Sequence, residues 1–445
     1  MRGLRSFVAL LVILIGLGAY LYFVESKRTP GDDAEKRDKV FTAESDKIDG
    51  MSIRSESGER TTLRKSGTAW QIVAPVTAPA DAGEISSLTS NLASLEVQRV
   101  VDENAADLKE FGLEPARIEV SFTSGGQTQT LRIGQKTPPG SDLYARTGDD
   151  KKVFLIPSYV ESTFNRGTFD LRDKAVLKVE RDSVDAIQIQ AGASPVALAK
   201  QNDAWQLTQP VEAPADFGSV SGLLNRLTSA QMKAVEPGAD ANAAKYGFAK
   251  PQATVQIGGG SSRAVLVLGA TAGEGAVYAR DQARPDVFTV ESSLLDELKK
   301  GASEYRQKDL FDARAFNTTR VEIARDGQTR AFEKIKEKDK DGKETEKWRQ
   351  VAPETKDVDG TTVESLLSSL TSARAESFVM DTRKAGLDTP ALTATLKYDE
   401  GRKEDRVTFA RAGADAYASR AGMPGAARID SATFEAIVKA LDAVK

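Results

Sequence analysis

The chain contains three tryptophans, and each opens the same phrase. WQIVAPVTAPAD starts at Trp70, WQLTQPVEAPAD at Trp205 and WRQVAPETKDVD at Trp348. In each phrase a proline follows five residues after the tryptophan (Pro75, Pro210, Pro353) and an aspartate eleven after (Asp81, Asp216, Asp359). The match continues downstream. Gly112-Leu113, Gly247-Phe248 and Gly386-Leu387 are each followed closely by a proline (Pro115, Pro251, Pro390), and Tyr144-Ala145, Tyr278-Ala279 and Tyr417-Ala418 come about thirty residues later. The tryptophans lie 135 and 143 residues apart, and the longer spacing contains a charged insertion, Glu337 to Lys347. A period this long constrains the fold more than any short motif, because one structural plan must serve three times.

That plan reads as α+β, with a mostly antiparallel sheet and packed helices. Short alternating stretches such as Met51–Arg54 and Arg60–Leu63 precede the first tryptophan, as expected of half-buried strands. Each aspartate then stands where a helix N-cap belongs, and Glu84, three after Asp81, offers the second half of a capping box. Apolar residues recur at +4, +7, +11 and +14 from the aspartate: Ile85, Leu88, Leu92, Leu95; Val220, Leu223, Leu227, Ala230; Val363, Leu366, Leu370, Ala373. This spacing predicts one apolar stripe packed on the sheet. A second, short helix over Ala105–Phe111 ends at Gly112, a residue suited to the left-handed position past a helix end. Strands follow at Ile118–Phe122, Thr128–Ile133, Leu143–Ala145 and Val153–Ile156, with hairpin turns at Gly125-Gly126, Gly258–Gly260 and Asp399–Gly401. Closing helices are predicted around Ser158–Phe164, Ser292–Lys300 and Ser431–Val444. LRDKAVL and YRQKDLF then lead straight from one copy into the next.

What the 445 residues lack removes whole classes of chemistry. There is no Cys and no His, hence no disulfide, thiolate nucleophile, thiolate- or imidazole-ligated metal, Ser-His-Asp machinery or lipoprotein anchor. With 61 basic and 65 acidic residues the net charge is −4, which gives no general pull toward nucleic acid. No G-x-S-x-G, S-x-x-K, P-loop or EF-hand spacing is present.

Phe7 to Val24 is a run of 18 uncharged, mostly apolar residues, near the lower limit for a helix crossing about 30 Å of hydrocarbon. Tyr20, Tyr22 and Phe23 gather at one end, while Arg2 and Arg5 lie at the other, which directs the N-terminus to the cytoplasm. The alternative, a cleaved signal peptide, has Gly16-Leu17-Gly18 as its nearest cleavage-like site, and that site lies inside the apolar run. The domain reading is therefore a cytoplasmic stub (1–5), a transmembrane signal anchor (6–24), a charged stalk (25–39) and α+β repeats over 40–177, 178–312 and 313–445.

A residue present in every copy is a poor candidate for a unique active centre. Trp70, Trp205 and Trp348 read as core residues, the alternative being stacking platforms for a glycan. Asp81, Asp216 and Asp359 read as caps. Arg146 and Arg280 read as exposed arginines at strand ends, and Ser419 breaks that series. The Gly258–Gly260 run reads as a turn, the charged run Lys334–Lys347 as a solvated hairpin extension, and Asn317 as a sequon relevant only to a eukaryotic secretory route. Asp102 and Glu103 are too ordinary among 65 acidic residues to nominate a glycosidase pair. No catalytic, cofactor-binding or metal-binding residue is nominated, and no cofactor is expected.

The order of features, from a single span to W-x-x-x-x-P, a capped helix, YGF or FGL before a proline, then Ile133-Gly134 and Leu268-Gly269, Tyr144–Arg146 and Tyr278–Arg280, and Val153-Phe154 and Val287-Phe288, resembles the bacterial family of domain of unknown function 4340. The third copy departs, with Phe409-Ala410, Ser419 and Ala427-Arg428 at the corresponding places. The resemblance implies a membrane-anchored envelope protein of the bacterial inner membrane, its repeats periplasmic, encoded near ABC-type transporter components of the gliding-motility auxiliary kind. The expected role is a non-enzymatic accessory or scaffold. Its partners would be membrane lipid, through the N-terminal helix, and an ABC permease or auxiliary subunit. A glycan- or ligand-binding module is the second expectation and a carboxylate enzyme the third.

Overall fold

The computed structural model describes residues 37–138, 140–192, 194–260, 262–338 and 344–445. The stub, the transmembrane anchor and residues 25–36 of the stalk lie outside these. Among the described residues no helix is long and apolar enough to cross a membrane. Two compact units divide the chain, the first closing at Lys174 and the second, holding copies two and three, beginning at Ala175.

The described residues form three nine-stranded antiparallel sheets with one strand order repeated three times. In copy one, Ile48–Arg54, Arg60–Ser66, Ala69–Ala74 and Ala78–Pro79 meander to one edge of the sheet. The helix Ala82–Ser94 then carries the chain to the opposite edge, where Arg99–Asp102 pairs with Val153–Pro157. Ile118–Ser124 returns to the centre against Ile48–Arg54 and begins a second meander running outward. Copies two and three repeat this path, with Ala234–Val235 and Ala375–Val379 as the far-edge strands.

Alternation along the strands sets the core. Met51, Ile53, Leu63, Ile72, Ile118, Val120, Phe122, Leu131 and Ile133 all point to the face that meets Ile85, Leu88 and Leu92 of the helix. Val220, Leu223 and Leu227 in copy two and Val363, Leu366 and Leu370 in copy three are equally buried. Each such Leu or Ile contributes roughly 1.5–3 kcal/mol through area removed from water. The fourth stripe position does not belong to the helices. They end at Ser94, Thr228 and Thr371, so Leu95, Ala230 and Ala373 lie beyond them. Their carbonyls have another use: they accept the N–H groups of Val40 (2.8 Å), Val176 (3.0 Å) and Leu310 (3.3 Å), the segments that lead into each copy.

The predicted second helix is reduced to one 3₁₀ turn, Lys109–Phe111, with counterparts at Ala244–Tyr246 and Thr382–Lys384. Gly112, Gly247 and Gly386 follow at φ of 67°, 72° and 69°, the left-handed conformation that their positions required. These turns cover the sheet face away from the main helix. There Ala105, Leu113 and Val153 pack with Phe111 and Tyr144 in copy one, and Tyr246, Phe248, Val267 and Val287 with Tyr278 in copy two.

Between copies two and three the linker is shared. Asp216 N–H donates to Tyr305 O and Gln307 N–H to Pro214 O (both 2.8 Å), which adds the linker to the edge of copy two. Two residues on, Leu310 N–H meets Ala373 O and Ala375 N–H meets Lys308 O (2.7 Å), so the same linker pairs with copy three. In the first unit the pattern at the outgoing edge is the same: Asp81 N–H donates to Leu171 O (2.9 Å) and Asp173 N–H to Pro79 O (3.0 Å).

Candidate functional site

The recurring residues are absorbed by folding. Trp205 and Trp348 are buried, and Trp70 is half-buried against its core. Each faces a lysine across the neighbouring strand: Lys65, Lys200 and Lys334. The Lys200 and Lys334 ammonium groups lie 5.5 and 5.3 Å from the indole ring centres, a cation–π geometry. The lysine lies five residues before the tryptophan in copies one and two but fourteen before it in copy three, which hid the pairing in the sequence. The proline five residues after each tryptophan follows a cis peptide bond in all three copies.

Asp81, Asp216 and Asp359 cap their helices, accepting from the N–H groups of Glu84 (2.9 Å), Ser219 (2.8 Å) and Thr361 (2.9 Å). The capping box expected of Glu84 is not made. The Asp81 N–H it would receive is held by Leu171 O, and its carboxylate lies 3.7 Å from Arg166.

Arg146 corrects an expectation: it is buried, not exposed. Two residues along its strand from Tyr144, it shares that side chain's face of the sheet and donates to Asp150 O at 3.2 Å. Burial, together with the nearby Arg132, pulls its pKa below the ordinary guanidinium value. Arg280 is half-buried, with its guanidinium 5.1 Å from the Phe248 ring centre. Gly260 takes the left-handed hairpin turn, at φ 57°. Asn317 holds a turn, accepting Arg314 N–H at 2.8 Å. Asp102 accepts Asn104 N–H, and Glu103 pairs with Lys152, so the two carboxylates do not converge on a common centre. The described part of the charged run forms paired strands, with Glu337 bridging Lys347 (2.6 Å) and Arg349 (2.8 Å).

The densest polar constellation lies where copy two meets copy three, and no short motif announced it. Arg306 is buried with its guanidinium 3.9 Å from the Phe378 ring centre, and it donates to Pro424 O at 2.7 Å. Burial lowers its pKa. Beside it the buried Asp405 carboxylate accepts the N–H groups of Asp312 (2.7 Å) and Ala313 (2.9 Å) and pairs with Arg420 (2.6 Å). Arg420 also holds Asp312 at 2.5 Å, a bond that depresses the Asp312 pKa. Burial works against the charge on Arg420, but its bonds to these carboxylates outweigh that and raise its pKa. Asp309 pairs with Arg314 (2.7 Å) and Arg374 (2.8 Å). Copy two receives its own incoming segment in a related way. There Arg284, paired with the buried Asp281 at 3.0 Å, donates to the carbonyls of Ala175 and Val176. The constellation satisfies linker backbone and fixes a joint; its carboxylates are occupied by arginines and amides.

Comparison with known proteins returns one family. The model described as Domain of unknown function (DUF4340) matches residues 70–204 and 205–390, each match beginning at one of the repeat tryptophans. No curated protein matches the chain. Among solved structures, a DnaN sliding clamp (DNA polymerase III subunit beta) from Pseudomonas aeruginosa bound to griselimycin is similar at 11% identity and a TM-score of 0.13, covering 87% of this chain and 93% of that one. A second structure of the DNA polymerase III subunit beta from Pseudomonas aeruginosa is similar at 9% identity and a TM-score of 0.15, covering 86% and 90%. Likeness of that degree carries no argument about this chain.

Proposed function

The chain belongs to the family described as Domain of unknown function (DUF4340), and from that premise we propose that it is a non-enzymatic accessory or scaffold protein of the bacterial inner membrane. In this reading residues 6–24 anchor it, and the three modules stand in the periplasm beside an ABC-type transporter complex. One observation supports the reading above the others. The residues that define the repeat are consumed in building the module: tryptophans in the core, aspartates at helix caps, glycines at left-handed turns. What is kept three times is thus a shape and a way of joining, which is what a scaffold needs.

The test is in-cell crosslinking of the full-length protein, gentle solubilisation, affinity purification and mass spectrometry. Recovery of an ABC permease or auxiliary subunit is expected. It should be lost when the modules are deleted and kept when residues 6–24 are replaced by an unrelated span. Turnover of an envelope substrate by the purified protein, abolished by a single substitution, would overturn the proposal.

A further inference from the structure

The joint between copies two and three gathers four arginines, and three of them meet carboxylates. Arg420 holds Asp312 and Asp405, while Arg314 and Arg374 share Asp309. Arg306 is the most deeply buried of the four, and no carboxylate pairs with it among the described residues. Its guanidinium lies over the Phe378 ring, and the one hydrogen bond it makes there is to Pro424 O. Burial is the single influence on its pKa, with no acidic group acting against it. A guanidinium held away from water without a counter-charge is costly, and two neutral contacts do not remove that cost.

Arg306 also borders a small cavity. Its volume is about 30 Å³, and Gln307, Leu310, Phe378, Arg420 and Met423 are among the other residues around it. That is room for a water molecule or an ion of similar size, and too little for a phosphate or a sugar. Leu310, Phe378 and Met423 make part of the wall apolar, and the Gln307 side chain, which makes no hydrogen bond among the described residues, brings an amide donor to it. A water molecule placed there satisfies donors but leaves the charge unmet. A monatomic anion does both.

We propose that this cavity binds a single halide ion, held by the Arg306 guanidinium and the Gln307 amide, and that the ion fastens the third module to the second. The inference goes beyond the scaffold reading and does not depend on it, because every residue involved lies within the second unit. An ion that binds the closed joint and not the opened one stabilises the joint by mass action.

The test uses the full-length protein in an uncharged detergent, with chloride as the probe and gluconate making up the ionic strength. Chlorine NMR line width, compared between wild type and Arg306→Met, reads binding, and hydrogen exchange at residues 305–310 and 423–427 reads its place. At chloride about ten times its dissociation constant, the Gln307 amide should exchange about tenfold more slowly than in gluconate. The second unit should also melt about 3 °C higher. Bromide should reproduce both effects, and Arg306→Met should show neither. Sulfate, which the cavity does not admit, should leave wild type and variant responding alike. The proposal fails if wild type and Arg306→Met respond equally to chloride, or if the slowed exchange falls outside the two segments. Should Arg306→Met not fold, the exchange of the wild type in chloride against gluconate decides alone: no slowing confined to these segments overturns the site.

Discussion

At the scale of single residues, glycines separate what the repeat must keep from what it can vary. A Cβ on Gly134 would lie 2.1 Å from Phe111 O, and one on Gly269 would lie 1.9 Å from Tyr246 O, because the strand passes directly under the 3₁₀ turn. Gly134→Ala or Gly269→Ala should therefore cost about 1–3 kcal/mol by forced displacement of backbone. Gly222 lies inside the helix Phe217–Thr228 with nothing within 4 Å of its Cβ position. Gly222→Ala should stabilise by roughly 0.5–1 kcal/mol. Chemical denaturation of the three variants tests both signs, and equal effects at Gly222 and Gly134 would contradict the close approach. The third copy has Ala410 at the corresponding place, fully buried. There the approach of the preceding glycine remains, since a Cβ on Gly386 would lie 2.5 Å from Arg411 O, as one on Gly247 would lie 2.7 Å from Ala270 N. The departure visible in the sequence falls on one of two close approaches and leaves the other in place.

At the scale of elements, the joint between copies two and three is governed by Asp405 and Asp312. Asp405→Ala leaves Arg420 without its buried partner and two linker amides without an acceptor, so a loss of about 3–5 kcal/mol is expected in the unfolding of the second unit. Asp312 is half exposed and acts through pH. Its pKa in the folded chain lies below the unfolded value, so its contribution is complete above the ordinary Asp range near about 3.9 and disappears as pH falls through the folded pKa. Asp312→Asn should lower stability near neutrality, where the contribution is complete, and flatten the acid limb below about pH 4, where the parent protein loses it anyway. An unchanged acid limb would show that the Arg420 bond is not held in solution. None of this was legible beforehand, because the partners are 15 to 108 residues apart and no spacing rule connects them. The helices, by contrast, were legible. Their stripes and caps are local signals, and they misled where tertiary partners intervened: at Glu84, whose capping-box amide is taken by Leu171 O, and at the fourth stripe position, where the helix had already ended and Leu95, Ala230 and Ala373 had become acceptors for incoming strands.

At the scale of the whole molecule, the repeat phrase foretold three modules and an antiparallel sheet in each. It did not foretell the order of strands, in particular the crossing from one edge to the other after the helix, since that depends on pairings as distant as Thr318 with Tyr398. Nor did it foretell the outer-face clusters or the burial of Arg146. The division at Lys174 and Ala175 leads to a further expectation. A protein cut there should yield two pieces, each with its own cooperative thermal unfolding by circular dichroism. Absence of a cooperative transition in either piece would show that the two units do not fold separately.

The linkers align residue for residue, Leu171 with Tyr305, Arg172 with Arg306, Lys174 with Lys308, Val176 with Leu310. In each, the backbone up to the residue before the lysine bonds backward and the backbone two residues after it bonds forward. A recombination event joining one gene copy to another at that lysine would deliver a protein with a module added or removed and the backbone pairs of each linker still made. The array is therefore open to growth and shrinkage by unequal exchange, and a lineage can reset the number of its modules without redesigning the backbone of a joint.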